Sequence, residues 1–284
     1  MSSKAPTTNP CQLCDFLGNR FVYAVISQRA GGLMIGVEMN PDQKCNFQCV
    51  YCYVERNPSK ERRTFNLRAM STELKDLLQR HRLHRFKELP IFSNVPEELL
   101  KLKGVALSGE GEPTLCARFS EVVEEIIHIR SSGQWAEFKI VLITNGTGLN
   151  LPAVQQGLRL LSLTDEIWVK LDVGTDQQMR NINHSPVPLD QIVNNIVELG
   201  QWRPVIIQSL FCSVNETEPS DEEINDYIQR LLEIRDRGAA IREVQVYSVV
   251  RPPSQTGCGR LSLNQLSLVA RRIRSETGLS VEVY

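Results

Sequence analysis

Apolar and polar residues alternate along this chain in a regular order of short apolar runs and longer stretches with helical spacing. FVYAVIS (21–27) and LMIGVEM (33–39) read as two strands around a Gly31-Gly32 turn, which is a β-hairpin. GVALS (104–108), KIVLIT (139–144), EIWVKLD (166–172), PVIIQSLFC (204–212) and EVQVYSVV (243–250) read as further strands, and SVEVY (280–284) closes the chain. Between them, 118–131, 151–161, 188–200, 221–236 and 263–276 carry the apolar spacing of helices packed on one side. Strands alternating with helices predict βαβ units and a parallel sheet. Runs such as KIVLIT, apolar almost throughout, predict strands covered by helices. Counting the strand at 33–39, the pattern gives six βα units, fewer than a closed eightfold barrel holds. The expectation is an α/β fold: a partial parallel (βα)6 TIM-like barrel with an N-terminal β-hairpin. Residues 1–20 read as a tail carrying a Cys-x2-Cys pair, and 21–284 as the barrel domain. In parallel βα architectures the working groups sit on loops after the carboxyl ends of strands. Here those segments are CNFQCVYC, SGEGEPT, TNGT, DVGT, SLFCS and YSVVRPP.

Composition narrows this picture without changing it. A chain of 284 residues with 42% hydrophobic and 23% charged residues has material for a proper core. The net charge of −1 creates no global field that would draw it to nucleic acid or acidic lipid. No run approaches the length of a membrane span. The opening MSSKAPTTNPCQLC has no apolar core of a secretory signal, so a cytoplasmic location is expected. In that reducing setting the eight cysteines are expected as metal ligands or catalytic groups rather than disulfides.

Three of them, Cys45, Cys49 and Cys52, fall within eight residues. Structural zinc wants four ligands, usually as two distant pairs. An iron–sulfur cubane uses thiolates at its iron corners, and three protein ligands leave one iron open to an exogenous molecule. The spacing Cys45-x3-Cys49-x2-Cys52, with Tyr51 just before the last cysteine, resembles the signature of the radical S-adenosylmethionine superfamily. That resemblance implies a [4Fe-4S] cluster, S-adenosyl-L-methionine chelated at the open iron, reductive cleavage of the cofactor, and hydrogen-atom abstraction by a 5′-deoxyadenosyl radical. It extends to SGEGEP (108–113), which is similar to the glycine–glutamate motif of the family, and so implies Gly109, Glu110, Gly111 and Glu112 as cofactor-binding residues, with Glu112 able to meet an ammonium group. Asn145 in ITNGT and Asp172 in KLDVGT stand at the next two strand ends, where relatives hydrogen-bond ribose or methionine groups. Turn capping is the alternative role for both.

The stretches ISQRAGGLMIGVEMNPDQKCNFQCVYC, LSGEGEPTL, VKLDVGTDQQMRNIN and VQVYSVVRPP together resemble the wyosine-synthase-like branch, across roughly residues 20 to 284. The resemblance implies a tRNA-modifying enzyme as one reading. A glycyl-radical activase acting on a protein and a non-catalytic iron–sulfur carrier or sensor are the others. A carrier would need a fourth protein ligand and would have no use for SGEGEP, Asn145 and Asp172. With no flavodoxin-like domain before the barrel, electrons are expected from an external donor of flavodoxin or ferredoxin type. RHRLHRFK (80–87), the only basic concentration, reads as a solvated face with RNA contact as its alternative.

Four more cysteines form a second set. Cys11-x2-Cys14 is half of a metal site, and Cys212 and Cys258 lie on loops able to reach the barrel mouth, which together suggests a second iron–sulfur cluster or zinc. Cys116 reads as a packed residue. Lys170 lies two residues before Asp172 on one strand, so both face the lumen. A lysine there is expected either to form a Schiff base or to pair with a carboxylate, whether of cofactor, substrate or a structural acid such as Glu38 or Glu112. His81, His84, His128 and His184 show no metal spacing.

Overall fold

A computed structural model describes residues 17–56, 64–254 and 256–284. Its centre is an eight-stranded sheet formed by β1 (Val22–Ser27), β2 (Gly32–Glu38), β3 (Leu102–Ser108), β4 (Lys139–Thr144), β5 (Glu166–Lys170), β6 (Val205–Leu210), β8 (Ile241–Tyr247) and β10 (Val281–Val283), in that order and unclosed. Only β1–β2 is antiparallel; every other pair is parallel. The partial barrel with its N-terminal hairpin is thus as the hydrophobic pattern predicts. β10 adds one parallel strand beyond the six.

The helices are α1 (Leu67–Arg82), α2 (Phe119–Ser131), α3 (Pro152–Leu160), α4 (Asp176–Ile182), α5 (Leu189–Gly200), α6 (Asp221–Asp236) and α7 (Leu263–Thr277). Their starts follow capping chemistry: Thr175, Ser220 and Ser262 each close a reciprocal capping box on α4, α6 and α7. α7 ends at Gly278 in the left-handed region, φ 70°. Their apolar faces bury Leu74, Ile126, Ile196, Leu231 and Ile273 against the outer face of the sheet. Full burial of a Leu or Ile side chain contributes about 1.5–3 kcal/mol.

The inner face is built differently. Met34, Ala106, Val141, Trp168 and Ile206, one from each of β2 to β6, form a separate apolar cluster. With side chains alternating along each strand, the same face carries Glu38, Ser108, Asn145, Lys170, Asp172 and Gln208 further toward the carboxyl ends. The lumen therefore has an apolar floor and a polar mouth. Tyr23 of β1 lies over Gly36, leaving no room for a side chain there, and its hydroxyl meets Ser108 Oγ at 2.9 Å.

Two features depart from the sequence pattern. The run 204–212 is not one strand: β6 stops at Leu210, and Cys212 starts β7 (Cys212–Val214), which pairs antiparallel with β9 (Cys258–Arg260) as a separate ribbon. The continuous apolar character of SLFC hides that break, because Phe211 remains buried while its N–H bonds Tyr247 O. α4 has no counterpart in the pattern, whereas α1 is the helix-like insert that carries the start of RHRLHRFK ahead of β3. RHRLHRFK falls at the last turn of α1 and beyond, against the amino end of β3, where His81 accepts a hydrogen bond from Leu102 N. Arg80 and Arg85 pair with Glu88, Lys87 pairs with Glu97, and Phe86 is buried. Arg82, Leu83, His84, Arg85 and Lys87 are exposed, so the stretch is the solvated face expected of it, at the end of the barrel opposite the mouth.

Candidate metal centre and cofactor site

The chain leaves β2 at the mouth and forms the cysteine loop, with Cys49 buried and Cys45 and Cys52 half-buried. Successive strand ends grasp this loop one after another. After β3, Glu112 N donates to Lys44 O at 2.9 Å. After β4, Asn145 Nδ2 donates to Asn46 Oδ1 at 2.9 Å. After β5, Asp172 Oδ2 accepts the Tyr51 hydroxyl. At the end of α4, the carbonyls of Ile182 and Asn183 accept Val50 N and Gln48 N at 2.9 and 3.0 Å. After β8, Ser254 donates from N and Oγ to Cys52 O at 2.8 and 2.9 Å. Arg56 closes the loop on itself through Phe47 O at 3.2 Å.

Glycine is required where this clasp is tightest. Gly109, at φ 134°, would place a Cβ 2.1 Å from Glu38 Oε1, and Gly111 would place one 2.4 Å from both Asn40 Cβ and Lys44 O. Glu38 is the reason for the first contact. Its carboxylate accepts Asn40 N at 3.0 Å and Glu110 N at 2.8 Å, which ties the end of β2 to the glycine–glutamate loop. Burial pushes its carboxyl up to about 7, against the pull of those two N–H groups.

The predicted site residues divide by what they touch. Glu112 is fully enclosed, and its oxygens accept Thr114 N and Oγ1, Thr144 Oγ1 and Asn145 N, so the carboxylate knots β3 to β4 rather than facing the mouth. Glu110 lies nearer the loop, held by Gln43 Nε2 at 2.5 Å. Asn145 Oδ1 caps its own turn through Thr147 N at 3.0 Å while its amide holds Asn46. Asp172 gathers Tyr51, Asn183 Nδ2 at 2.8 Å, Leu210 N at 2.9 Å and Lys170 Nζ at 3.7 Å. Lys170 pairs with Asp172 and not with Glu38 or Glu112, both of which are spent on other donors. Its ammonium also donates to Tyr247 Oη at 3.1 Å and lies 4.8 Å from the Tyr51 ring centre. Burial opposes that charge, and Asp172, Tyr247 and Cys49 overcome it, holding the ammonium above the usual lysine range.

The donor set fits an iron–sulfur cubane. Phe47 N points at Cys45 Sγ at 3.4 Å, and Asn183 Nδ2 at Cys49 Sγ at 3.5 Å, as N–H groups point at ligating sulfur. Burial pushes the Cys45 thiol up to about 11 and raises Cys49 as well, so a bound cation is what would make them thiolates at neutral pH. Among the described residues no three Cys, His, Asp or Glu side chains converge on a single-ion site. Beside Asp172 opens a cavity of about 170 Å³, lined among others by Gln178, Asn181, Leu210, Phe211 and Cys212.

Cys258 lies diagonally across the β7–β9 ribbon from Cys212, on the same face of the ladder, and burial raises both thiols. Cys11 and Cys14 lie outside the described residues. Cys116 is half-buried. Asn46, Asn183, Gln208 and Gln245 are among the residues of this site that the sequence does not single out. The last two are buried and bonded amide to amide at 2.9 Å in the lumen wall. They stood out as polar residues on the inward phase of apolar strands, a signal readable once the register is known. Asn46 and Asn183 follow from no spacing rule.

No protein-family model matches the chain. Among curated proteins, a UPF0026 protein of Synechocystis is 30% identical over 186 residues, covering 63% of this chain and 59% of the relative. A protein named GTPase Obg from Brachyspira hyodysenteriae is 20% identical over 271 residues, covering 91% of this chain and 34% of the relative. The chain thus spans about a third and about three fifths of the lengths of these two relatives. Among solved structures, a radical SAM methyltransferase from Sphaerobacter thermophilus aligns over 93% of this chain and 68% of its own, at TM-score 0.65 and 15% identity. A TYW1 structure with a lysine-pyruvate adduct bound aligns over 95% and 78%, at 0.56 and 17%. A spore photoproduct lyase variant aligns over 100% and 86%, at 0.58 and 10%.

Proposed function

We infer that this chain, which has the partial-barrel fold of radical S-adenosylmethionine enzymes, is itself such an enzyme. The observation that carries the reading is the serial clasp: strand ends after β3, β4 and β5 and the end of α4 converge on a loop with three cysteines. A carrier protein has no need of that convergence. Cys45, Cys49 and Cys52 would hold a [4Fe-4S] cluster and leave its fourth iron for the methionine end of S-adenosylmethionine. When bound, that pair supplies one-electron cleavage of the cofactor to a 5′-deoxyadenosyl radical that abstracts hydrogen from substrate.

The residues of the chain divide the remaining work. Gly109 and Gly111 let the glycine–glutamate loop close on Glu38, Asn40 and Lys44, and Glu110 is the acid left for the cofactor's ammonium group, since Glu112 is already occupied. Asp172 borders the 170 Å³ cavity; its Oδ2 is taken by Tyr51 and Asn183, and Oδ1, which accepts Leu210 N, is the oxygen left to meet a ribose hydroxyl. Tyr51 and Asn145 fix the loop. Beneath them, Lys170, Tyr247, Gln208 and Gln245 line the lumen wall. A cation backed by neutral donors recognises a carboxylate-bearing substrate. The TYW1 structure with a lysine-pyruvate adduct bound favours a small keto acid in that place, with Lys170, held as an ammonium, as its charged anchor. A wyosine-type tRNA substrate gains nothing from RHRLHRFK, which lies at the far end of the barrel. The electron donor is an external protein of flavodoxin or ferredoxin type. The placement of Cys212 and Cys258 on one face of the ribbon supports an auxiliary cluster or zinc with Cys11 and Cys14.

The test is anaerobic reconstitution with iron and sulfide. The protein is expected to show a reduced-cluster EPR signal that changes on adding S-adenosylmethionine, and to release 5′-deoxyadenosine with dithionite. A cluster that ignores the cofactor would leave a carrier or sensor as the better reading.

A further inference from the structure

The Asn183 side chain is used by no step above, yet it is 1% exposed and sits against the cysteine loop. It follows α4 as its cap, and its backbone carbonyl receives Gln48 N at 3.0 Å. Its amide nitrogen reaches three acceptors: Asp172 Oδ2 at 2.8 Å, Tyr51 Oη at 3.1 Å and Cys49 Sγ at 3.5 Å. The amide oxygen has no hydrogen-bond partner among the described residues. The orientation is set by chemistry. Turned over, the oxygen would face a carboxylate and a sulfur, neither of which donates when ionised. The two amide hydrogens are thus shared among one carboxylate, one phenol and one sulfur.

We propose that Asn183 is a positioning residue that sets the reduction potential of the cluster through its N–H to Cys49 sulfur, and does so from the same amide that orients Asp172. The inference rests on the cubane reading of the cysteine loop. Adding an electron makes cluster sulfur more negative, so an N–H donor stabilises the reduced state more than the oxidised one. Removing the donor makes the cluster harder to reduce. The amide is shared, so cluster potential and the Asp172 carboxylate are adjusted by one side chain.

The experiment compares wild type, Asn183→Ala, Asn183→Asp and Ser254→Ala as full chains, reconstituted anaerobically. Iron is counted first, and the cluster is then titrated by EPR against mediators without S-adenosylmethionine. Asn183→Ala is expected to keep its iron and to lose about tenfold in the reduced-to-oxidised ratio at fixed potential, equal to about 59 mV for one electron. Asn183→Asp, which puts an acceptor beside the sulfur, is expected to move further in the same direction. Ser254→Ala removes the side-chain bond to Cys52 O without touching a sulfur donor, and is expected to leave the potential alone. Unchanged potentials in both Asn183 variants overturn the proposal. So does an equal shift in Ser254→Ala, which would show general loosening of the loop. Loss of iron from both Asn183 variants makes the residue an assembly element and overturns it too. If wild type itself takes up no iron, the cubane reading fails first and takes the proposal with it.

Discussion

The Tyr51 hydroxyl donates to Asp172 Oδ2, joining the cysteine loop to the end of β5 across 121 positions of sequence. The bond makes the residue before the third cysteine and the carboxylate at the fourth barrel strand one unit. Burial, with Asp172 adding to it, holds the Tyr51 phenol well above its ordinary value, so Tyr51 remains a donor at any physiological pH.

Asp172→Asn tests the cofactor end of that unit. One charge-assisted hydrogen bond fewer weakens S-adenosylmethionine binding by about 1.5–3 kcal/mol, or roughly 10- to 150-fold in Kd. Iron content is expected to stay at the wild-type level, because Asp172 is no ligand. Calorimetry with reconstituted protein measures the first quantity and an iron assay the second; equal affinities would reduce Asp172 to a brace for the loop.

Cys49→Ala tests the other end. Cys49 is the buried member of the trio and packs into the main core. The variant is expected to fold, to lose its four-iron signal and to release no 5′-deoxyadenosine. Retention of full cofactor cleavage would mean that this loop is not the cluster site.

Glu38 gives a pH dependence of definite sign. Its folded carboxyl stands near 7 and the unfolded reference is 4.5. Between those values the native chain binds more protons than the unfolded chain. Stability from this group is therefore full below about 4.5 and is lost as pH rises through 7, at roughly 1.4 kcal/mol per pH unit at most. Glu38→Gln cannot titrate, so the variant is expected to gain on wild type from pH 5 to pH 8 in urea midpoints. A difference that stays constant over that range would show that Glu38 is ionised throughout.

Much of this site was legible before any coordinates. Cys45, Cys49 and Cys52 announce themselves by spacing, and Asn145 and Asp172 by standing at successive strand ends of an alternating βα pattern. Their contacts were not legible, because each runs between residues that sequence holds about a hundred positions apart: Asn145 to Asn46, Tyr51 to Asp172. Glu112 shows the limit from the other side. Its place in a glycine–glutamate motif suggests a ligand contact, but Thr114 and Thr144, both ordinary residues in the sequence, supply donors that turn it inward. Cys212 shows a third kind of gap. An apolar run does not reveal where a strand stops bonding one neighbour and begins another ribbon.

Glu112→Gln measures what that inward knot contributes. The carboxylate accepts four hydrogen bonds in a fully buried position. An amide supplies one oxygen and brings two hydrogens that face hydroxyl and N–H donors. A buried group left without its partner costs about 1–3 kcal/mol, so the variant is expected to lose at least that in denaturant stability even without cofactor. A loss confined to cofactor binding, with stability unchanged, would mean that Glu112 faces the ligand after all.

The ribbon thiols carry the last prediction. Cys212 pairs in register with Arg260 and Cys258 with Val214, so the two cysteines are diagonal neighbours on the β7–β9 ladder. Diagonal positions stand about 7–8 Å apart at the backbone, wider than the roughly 4.4–6.8 Å usual for a disulfide. Their side chains share one face of the ladder, a placement that suits gripping a thiophilic metal between them better than crosslinking. Burial raises the Cys212 thiol, and its Cys258 neighbour adds to the shift, so both stay protonated until a cation displaces the protons. Together with Cys11 and Cys14 they make up the four thiols such a site takes. Wild type reconstituted with iron is expected to approach about eight irons per chain, twice the four of one cubane. The Cys212→Ser, Cys258→Ser double variant should fall to about four and keep the EPR response to S-adenosylmethionine. Zinc in the same place would show as one zinc lost on mutation, with iron steady at about four. Equal metal content in wild type and variant would leave the ribbon as a plain thiol pair beside the mouth.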